Sequence, residues 1–264
     1  MVVGEGFDGL FEFAGAHGFE MVQISLDDGH YFPEKINADE RGRVAEQSGK
    51  LGIGLCFHGP SDIPLMSRHE VIRSAGLSRM LGMIDMAVDM GGEYFIFHPG
   101  RLAFFSVSKN EVIFMEQKIP GRHLDFFTDS ARRILDHSKD RIKICLENTY
   151  SLPEQFLERI GRLVEDDGLH LVWDVGHTEL ASPSGRERII RFFNDNIKRV
   201  KLGHLHDVAG GSDHRALGTG KVNIQAYIEI FNTIGADVIL EIFPESALLE
   251  SVQYLKHLQL VDKA

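Results

Sequence analysis

The sequence is poor in cysteine and has no long apolar run. Its two cysteines, Cys56 and Cys145, lie inside apolar segments, which argues against a disulfide framework and indicates buried core thiols. No run of about 18 apolar residues occurs, so a transmembrane helix is excluded. The opening residues MVVGEGFDGL lack the basic segment and the cleavage site of a signal peptide. We therefore expect a cytoplasmic protein without a membrane partner.

Basic residues are also scarce relative to acidic ones. The chain has 28 lysines and arginines against 39 aspartates and glutamates, which gives a formal net charge of −11. This balance argues against a general nucleic-acid binder, although a local basic patch can override the average. With 264 residues, 43% of them hydrophobic, the chain suits a single globular domain over residues 1–264.

Strand-like and helix-like segments alternate along the chain. Seven strands are predicted, at residues 19–26, 52–58, 93–98, 142–147, 169–174, 197–204 and 237–243. Eight helices are predicted, at residues 7–17, 37–51, 67–90, 122–138, 153–164, 184–195, 223–234 and 246–259. Such alternation is typical of a parallel sheet with βαβ crossovers, and the length suits an α/β (β/α)8 TIM barrel. Only residues 1–3 precede the first helix, so the first barrel strand is expected to be short or missing.

Six of these strands carry a metal-ligating or acid–base residue at their carboxyl ends. These residues are His58, His98, Glu147, Asp174, His204 and Glu241. In a TIM barrel the carboxyl ends of the strands form the active-site mouth, so the six side chains are expected to meet there. Folding alone does not require such endings, and the pattern indicates a metalloenzyme.

The alternation of side chains along a strand predicts which residues line the barrel. If the candidate ligands point inward, Cys56, Cys145 and Val172 do so as well, and Lys143 must reach the bottom rim. The residues expected to face the helices are Leu55, Phe57, Ile144, Leu146, Leu171 and Trp173.

The first candidate site combines three carboxylates with one imidazole. Its members are Glu147, Asp174, His204 and Glu241. This mixed oxygen and nitrogen set suits zinc, manganese, magnesium, cobalt or iron(II). In the motif WDVGH, Gly176 is expected to permit a tight turn that folds His177 back over the mouth. His177 is then either a ligand of a second ion or a donor to a substrate hydroxyl.

The segment HLHDVAGGSDHRALGTG contains further candidates. Asp213 and His214 form a credible ligand pair, because the glycines of this loop allow it to return towards the mouth. His206 is interpreted as loop polarity, with ligation as the alternative. Arg215 either holds a phosphate or sugar oxygen or is solvated.

His58 and His98 complete a set of nine ligand candidates, because each ends a strand sharply before a Gly/Pro pair. The nine are His58, His98, Glu147, Asp174, His177, His204, Asp213, His214 and Glu241. One ion needs only three or four protein ligands, so nine indicate two or three ions, an arrangement suited to phosphoester hydrolysis.

The connection at residues 99–121 follows His98 and is the longest one without a predicted element. One interpretation is a surface insertion with its own cluster of Phe104, Phe105 and Phe114. The other is an active-site lid or a surface for substrate or a partner.

The motifs FHPG, LEN, WDVGH, HLHD, DHRALGTG and LEI together resemble those of the xylose-isomerase-like TIM barrels. This superfamily, which includes AP endonuclease family 2, contains sugar and sugar-phosphate isomerases and epimerases and also endonuclease IV. In the epimerase branch the resemblance implies one divalent ion on the first candidate site, with Glu147 and Glu241 as the acid–base pair. In the endonuclease branch it implies a trinuclear zinc cluster on all nine candidates, with Glu147 bridging ions.

Two enzymatic functions therefore stay open. The first is a divalent-metal-dependent isomerase or epimerase of a small sugar or sugar phosphate, in which Glu147 and Glu241 exchange a carbon-bound proton and His177 binds a hydroxyl. The alternative is an endonuclease IV-like trinuclear zinc phosphodiesterase acting at abasic DNA sites. Against that alternative, the segment GPSDIPLM after His58 has no aromatic residue. The clustered basic residues that could contact DNA are Arg101, Lys109, Lys118 and Arg122.

A non-catalytic binding module is a third hypothesis, which the intact pair of glutamates disfavours. We expect one to three divalent ions per chain, zinc first and manganese or cobalt as alternatives. The expected oligomeric state is a monomer or homodimer.

Overall fold

The computed structural model of the chain describes residues 6–100, 104–108, 111–114 and 121–260, the two short ranges by their backbone only. The described strands are β1 (Met21–Ser25), β2 (Gly54–His58), β3 (Tyr94–Phe97), β4 (Phe104–Ser108), β5 (Glu111–Phe114), β6 (Lys143–Glu147), β7 (His170–Asp174), β8 (Val200–Leu205), β9 (Asp207–Ala209), β10 (Ser212–Arg215) and β11 (Asp237–Leu240). Seven of them form one parallel sheet in the order β1-β2-β3-β6-β7-β8-β11.

This sheet curls into a nearly closed barrel, as the sequence predicts. The seven strands correspond to the seven predicted ones, with ends that differ by a few residues. In the part of the chain that the structure describes, β1 and β11 are the two edges of the sheet and share no strand ladder. The predicted short or missing first strand falls on residues 1–3, which lie outside the described residues.

Helices connect the strands and form the outer layer. They are α1 (Gly6–His17), α2 (Ala38–Leu51), α3 (Glu70–Asp89), α4 (Arg122–Ser138), α5 (Glu154–Asp166), α6 (Val175–Leu180), α7 (Pro183–Asp195), α8 (Ile224–Ile234) and α9 (Glu245–His257). Local chemistry fixes several ends. Asn37, Ser182 and Asn223 each accept a backbone N–H at the start of a helix, and Gly52 and Gly235 end helices in the left-handed conformation.

The apolar core has two parts, which match the predicted alternation. Cys56, Cys145 and Val172 belong to a small buried cluster inside the barrel, and both cysteines are free thiols, as expected. The predicted outward residues Leu55, Phe57, Ile144, Leu146, Leu171 and Trp173 belong to the larger core between strands and helices. Lys143 is exposed at the bottom rim, where its Nζ lies 4.5 Å from the centre of the Tyr94 ring.

Besides two 3₁₀ turns at Gly29–Tyr31 and Ile197–Arg199, three short features of the described residues were not predicted. Two are antiparallel hairpins, β4–β5 in the connection at 99–121 and β9–β10 in the loop after β8. The third is α6, which begins directly after Asp174, where a tight turn was expected. The side chains of 101–120 lie outside the described residues, so the surface-insertion and lid interpretations of this connection both stay predictions. Among the described helices, none is long and apolar enough to cross a membrane.

Candidate metal centre

The nine predicted ligands meet at the carboxyl ends of the strands and fall into three groups, each with its ligand atoms within 4.8 Å of one another. The central group is Glu147, Asp174, His204 and Glu241. The histidine group is His58, His98 and Glu147. The loop group is His177, Asp213 and His214.

Glu147 is the centre of this arrangement and belongs to two of the groups. It ends β6 and is 1% exposed. Its Oε2 lies 2.9 Å from Nε2 of His58, 3.6 Å from Nε2 of His98 and 3.2 Å from Nδ1 of His204. Its Oε1 lies 3.4 Å from Nδ1 of His177. A single carboxylate is thus placed to bridge two cation sites.

The central group surrounds the Nδ1 atom of His204. Glu147 Oε2 and Glu241 Oε1 lie 3.2 and 3.4 Å from this nitrogen, and Asp174 Oδ2 lies 3.9 Å away. The ring nitrogen is buried, yet it has no hydrogen-bond partner among the described residues. The Nδ1 atoms of His98 and His214 are likewise buried without a hydrogen-bond partner among the described residues. Because buried polar atoms are nearly always satisfied, these atoms and the surrounding carboxylates fit divalent metal ions.

Electrostatics keep the central carboxylate ionised. Burial alone would raise the pKa of Glu147, but the imidazoles of His204 and His98 and a hydrogen bond from His177 hold it well below its usual range. Burial lowers the pKa of His98 and so favours its neutral form. These are the protonation states that metal ligation requires.

The two histidines nearest the carboxylates, His177 and His204, have raised pKa values. Burial would lower their pKa values, but Asp174 and Glu147 raise that of His177 to about 10, and Glu241 and Glu147 raise that of His204 to about 9. In the metal-free protein, protons on these rings therefore balance the charge of the carboxylates. A divalent cation supplies the same balance when it replaces them.

Asn148, in the LEN motif, holds Asp174 in place. Its Oδ1 accepts the backbone N–H of Asp174 at 2.8 Å, and its Nδ2 donates to the backbone oxygen of Asp174 at 3.1 Å. Thr178 donates to the same oxygen at 2.7 Å. The Asp174 carboxylate also caps α6 by accepting the backbone N–H of His177 at 2.5 Å. This cap places the two candidate ligands of WDVGH at one mouth.

The interpretation of His206 as loop polarity was wrong. Its side chain is fully buried, and its Nε2 lies 3.0 Å from Asp174 Oδ2. Its Nδ1 accepts the backbone N–H of His214 at 2.9 Å, which leaves the ring proton on Nε2 to donate to Asp174. Ligand atoms of His206, His214 and Glu241 also lie close enough for a cation. With both ring nitrogens engaged, however, His206 supports a ligand rather than being one.

The role expected for Gly176 was also wrong. It has no left-handed backbone conformation and lies inside α6. A Cβ atom there would lie 2.0 Å from Cε1 of His206. The glycine is therefore needed for space, not for a turn.

Asp207 and Gln23 are two polar residues whose roles the sequence did not reveal. The Asp207 carboxylate accepts the backbone N–H groups of Val208, Gly220 and Val222, and so organises the loop after β8. Gln23, in β1, accepts from Nε2 of His204 at 3.0 Å and donates to Glu241. A lone glutamine in the apolar segment MVQIS was the one sequence feature that could have drawn attention to it.

A cavity of about 430 Å³ opens beside the metal centre. Its polar wall includes His58, His98, Glu147, His177, His214 and Glu241. The lining also contains apolar residues, among them Leu10, Phe13, Phe19, Val22, Val238 and Leu240. Asp27 and Asp28 add negative charge, and no lysine or arginine occurs among the described lining residues. Arg215 is exposed and outside this lining.

The predicted basic surface for DNA is described only in part. Arg101, Lys109 and Lys118 lie outside the described residues. Arg122 starts α4 and lies over the ring of Phe126, with 5.7 Å between its guanidinium carbon and the ring centre.

A barrel of parallel strands with ligands gathered at its carboxyl ends defines a TIM-barrel protein with a candidate metal centre. Residues 11–258 match the family model of the xylose isomerase-like TIM barrel, and the chain belongs to this family. The sequence resemblance to that superfamily is thereby confirmed.

Comparison with individual proteins gives a sequence relative and two solved structures with a similar fold. A protein named probable endonuclease 4 from Mycobacterium marinum (strain ATCC BAA-535 / M) is 25% identical over 239 residues, which cover 86% of this chain and 86% of that protein. A D-tagatose 3-epimerase-like protein has a TM-score of 0.72 at 22% identity, over 95% of this chain and 92% of its own. The IOLI protein, solved with a zinc atom, has a TM-score of 0.68 at 16% identity, over 97% of this chain and 92% of its own. At such identities, these two structures indicate a shared fold alone.

Proposed function

We propose that this protein is a divalent-metal-dependent isomerase or epimerase of a small sugar or sugar phosphate. One observation carries the proposal: the carboxylates of Glu147 and Glu241 lie 3.2 and 3.4 Å from the same atom, His204 Nδ1, on the wall of one cavity. A reaction that removes and returns a carbon-bound proton needs groups that accept and donate it, and two carboxylates on one cavity can take these roles.

In this proposal, separate residues of the chain transfer the proton and bind the substrate. Glu147 is ionised, because neighbouring histidines hold its pKa well below the usual range, and we assign it as the group that accepts the proton from a sugar carbon. Glu241 reaches the cavity from the neighbouring barrel edge and returns the proton, or the two glutamates exchange roles in the reverse direction. His177 lines the same cavity and binds a substrate hydroxyl. An ion held by the central group would polarise the sugar carbonyl and its neighbouring hydroxyl when bound.

The shape and charge of the cavity support a small substrate. Its volume of about 430 Å³ lies in the range typical of small-molecule sites. Its described lining offers carboxylates and imidazoles for hydroxyl groups, together with apolar side chains. The fold shared with the D-tagatose 3-epimerase-like protein is in keeping with this substrate class.

Hydrogen exchange at carbon tests the proposal. The protein, purified without chelator, is incubated in D2O with a panel of ketoses, aldoses and their phosphates, and deuterium is located by NMR. We expect incorporation at one carbon, reduced by about 100-fold or more in Glu147→Gln and Glu241→Gln. Glu46→Gln, on the exposed surface of α2, is the matched control and should exchange like wild type. A metal-loaded protein that exchanges no sugar would contradict the proposal.

A second candidate function, a trinuclear zinc phosphodiesterase at abasic DNA sites, is favoured by a separate observation. The histidine and loop groups lie beside the central group, so the chain has donors for three ions. The relationship to the probable endonuclease 4 of Mycobacterium marinum supports the same function. Close to three zinc ions per chain and salt-sensitive cleavage of an abasic-site duplex would establish it. A single ion with sugar exchange would exclude it.

A further inference from the structure

Gln23 is the side chain that links the two edges of the barrel to the central group. It lies in the middle of β1, at one edge of the sheet, while Glu241 follows β11 at the other edge. Within the described residues no strand ladder joins these edges. The carboxamide of Gln23 crosses this seam and lines the cavity beside the ligands.

Cys56, whose Sγ lies 3.8 Å from Oε1, also contacts the Gln23 carboxamide. The orientation of this carboxamide follows from its partners His204 and Glu241. Its Oε1 lies 3.0 Å from Nε2 of His204, and its Nε2 donates to Oε1 of Glu241. The flipped orientation would place the amide oxygen against the carboxylate, with two acceptors facing each other. The amide oxygen therefore faces His204, and since it has no hydrogen to give, the ring nitrogen Nε2 must be the donor.

This hydrogen bond decides which nitrogen of His204 can ligate an ion. A neutral imidazole carries one proton, and Gln23 holds it on Nε2. When an ion displaces the second proton of the ring, Nδ1 is the nitrogen that presents its lone pair, in the space beside the oxygens of Glu147, Asp174 and Glu241. This buried ring atom has no hydrogen-bond partner among the described residues. The second bond holds the Glu241 carboxylate at 3.4 Å from the same nitrogen.

From this geometry we propose that Gln23 is a positioning residue of the central group, which fixes the His204 tautomer and the Glu241 carboxylate for metal binding. This role of Gln23 rests on the metal centre of the proposed function. It does not depend on the reaction, because an isomerase and a phosphodiesterase would both need the central group. Outer partners of ligating histidines typically contribute about 10- to 100-fold to metal affinity.

The test compares zinc binding by Gln23→Met with that of two other variants. Methionine keeps the length of the side chain and removes both hydrogen bonds. Gln23→Glu restores an acceptor for His204 but places a charge beside Glu241. Tyr94→Phe is the matched control, because the Tyr94 hydroxyl also bonds across the barrel to β11, to Asp237 at 2.8 Å, without contacting a ligand.

Zinc affinity is measured by competition with a chromogenic chelator, and the His204 tautomer by nitrogen-15 NMR of the zinc-loaded protein. We expect zinc binding about 10- to 100-fold weaker in Gln23→Met, partial recovery in Gln23→Glu, and wild-type affinity in Tyr94→Phe. The wild-type spectrum should show the proton of His204 on Nε2.

Three results would overturn the proposal. The first is wild-type zinc affinity in Gln23→Met. The second is an equal loss of zinc affinity in Tyr94→Phe, which would indicate a role only in barrel closure. The third is the absence of zinc binding by the wild-type protein. A protein whose zinc affinity depends on Gln23 but which exchanges no sugar would contradict the proposed reaction and leave the role of Gln23 standing. A failure of the proposed reaction and a failure of the proposed role of Gln23 therefore give different results.

Discussion

The ring of His206 occupies the space that a side chain at position 176 would need. A Cβ atom on Gly176 would come within 2.0 Å of Cε1 of His206. The ring placed there connects two ligand groups, because it donates to the Asp174 carboxylate and accepts the backbone N–H of His214. His214 has a φ of 54°, which is unusual for a residue other than glycine, and this bond helps to hold it.

Gly176→Ala is therefore expected to impair the loop group. Displacing His206 breaks its bonds to Asp174 and His214, and the overpacking should lower the free energy of unfolding by about 1–3 kcal/mol. Zinc content by elemental mass spectrometry should fall, and urea unfolding measures the stability. Gly49→Ala in α2 is the control, because a Cβ there meets nothing within 4 Å. Wild-type zinc content in Gly176→Ala would show that the support from His206 is dispensable.

Sharing of Glu147 between two groups predicts a graded loss of metal. Glu147→Gln removes a ligand from both the histidine and the central group, whereas Asp213→Asn removes one from the loop group only. We expect the first variant to lose more bound zinc per chain than the second. Equal losses would mean either that one ion is bound or that Glu147 does not bridge. Elemental analysis of proteins purified without chelator gives the answer.

Much of the barrel could be predicted from the sequence because period-two and helical patterns report burial directly. The strand ending in Glu147 and the helix at 122–138 are examples, and the latter has the predicted bounds. The convergence of the candidate ligands could be predicted for a related reason: the carboxyl ends of parallel strands meet, so residues as distant as His58 and Glu241 could be assigned to one mouth.

Residues that act through another residue were not predictable. Gln23 and His206 acquire their roles only from ring orientations and hydrogen bonds across the barrel, which leave no periodic pattern in the sequence. The role of Gly176 was misjudged for the same reason, since the atom it must avoid belongs to a residue 30 positions later. Short elements such as α6 depend on a cap that Asp174 supplies while it also faces the metal centre.

Metal binding should release protons. Without an ion, the carboxylates around His177 and His204 raise their pKa values to about 10 and about 9, so both rings are protonated at pH 7. A ligating nitrogen must lose its proton, and zinc affinity should therefore increase as the pH rises from 6 to 8. Calorimetric titration in two buffers of different ionisation enthalpy measures the protons released. Zinc binding with no proton release and no pH dependence would contradict this prediction.

His170, at the start of β7 and remote from the metal centre, should make the protein sensitive to acid. Burial, together with the charges of Lys201, Arg199 and Lys143, lowers its pKa from 6.5 to about 4. Between these values the unfolded chain binds a proton that the folded protein does not, so the stability contributed above pH 6.5 is lost as the pH falls towards 4.

The variant His170→Gln isolates this effect, because glutamine is polar but does not titrate. In chelator-treated protein, which removes the contribution of metal ligands, the free energy of unfolding in urea is compared at pH 7.5 and pH 5. We expect the decrease between the two pH values to be smaller in His170→Gln than in wild type. His137→Gln is the control, since His137 is partly exposed on α4 and pairs with Asp85. An equal decrease in wild type and His170→Gln would mean that His170 is already protonated in the folded protein at pH 5, or that other groups dominate its acid response.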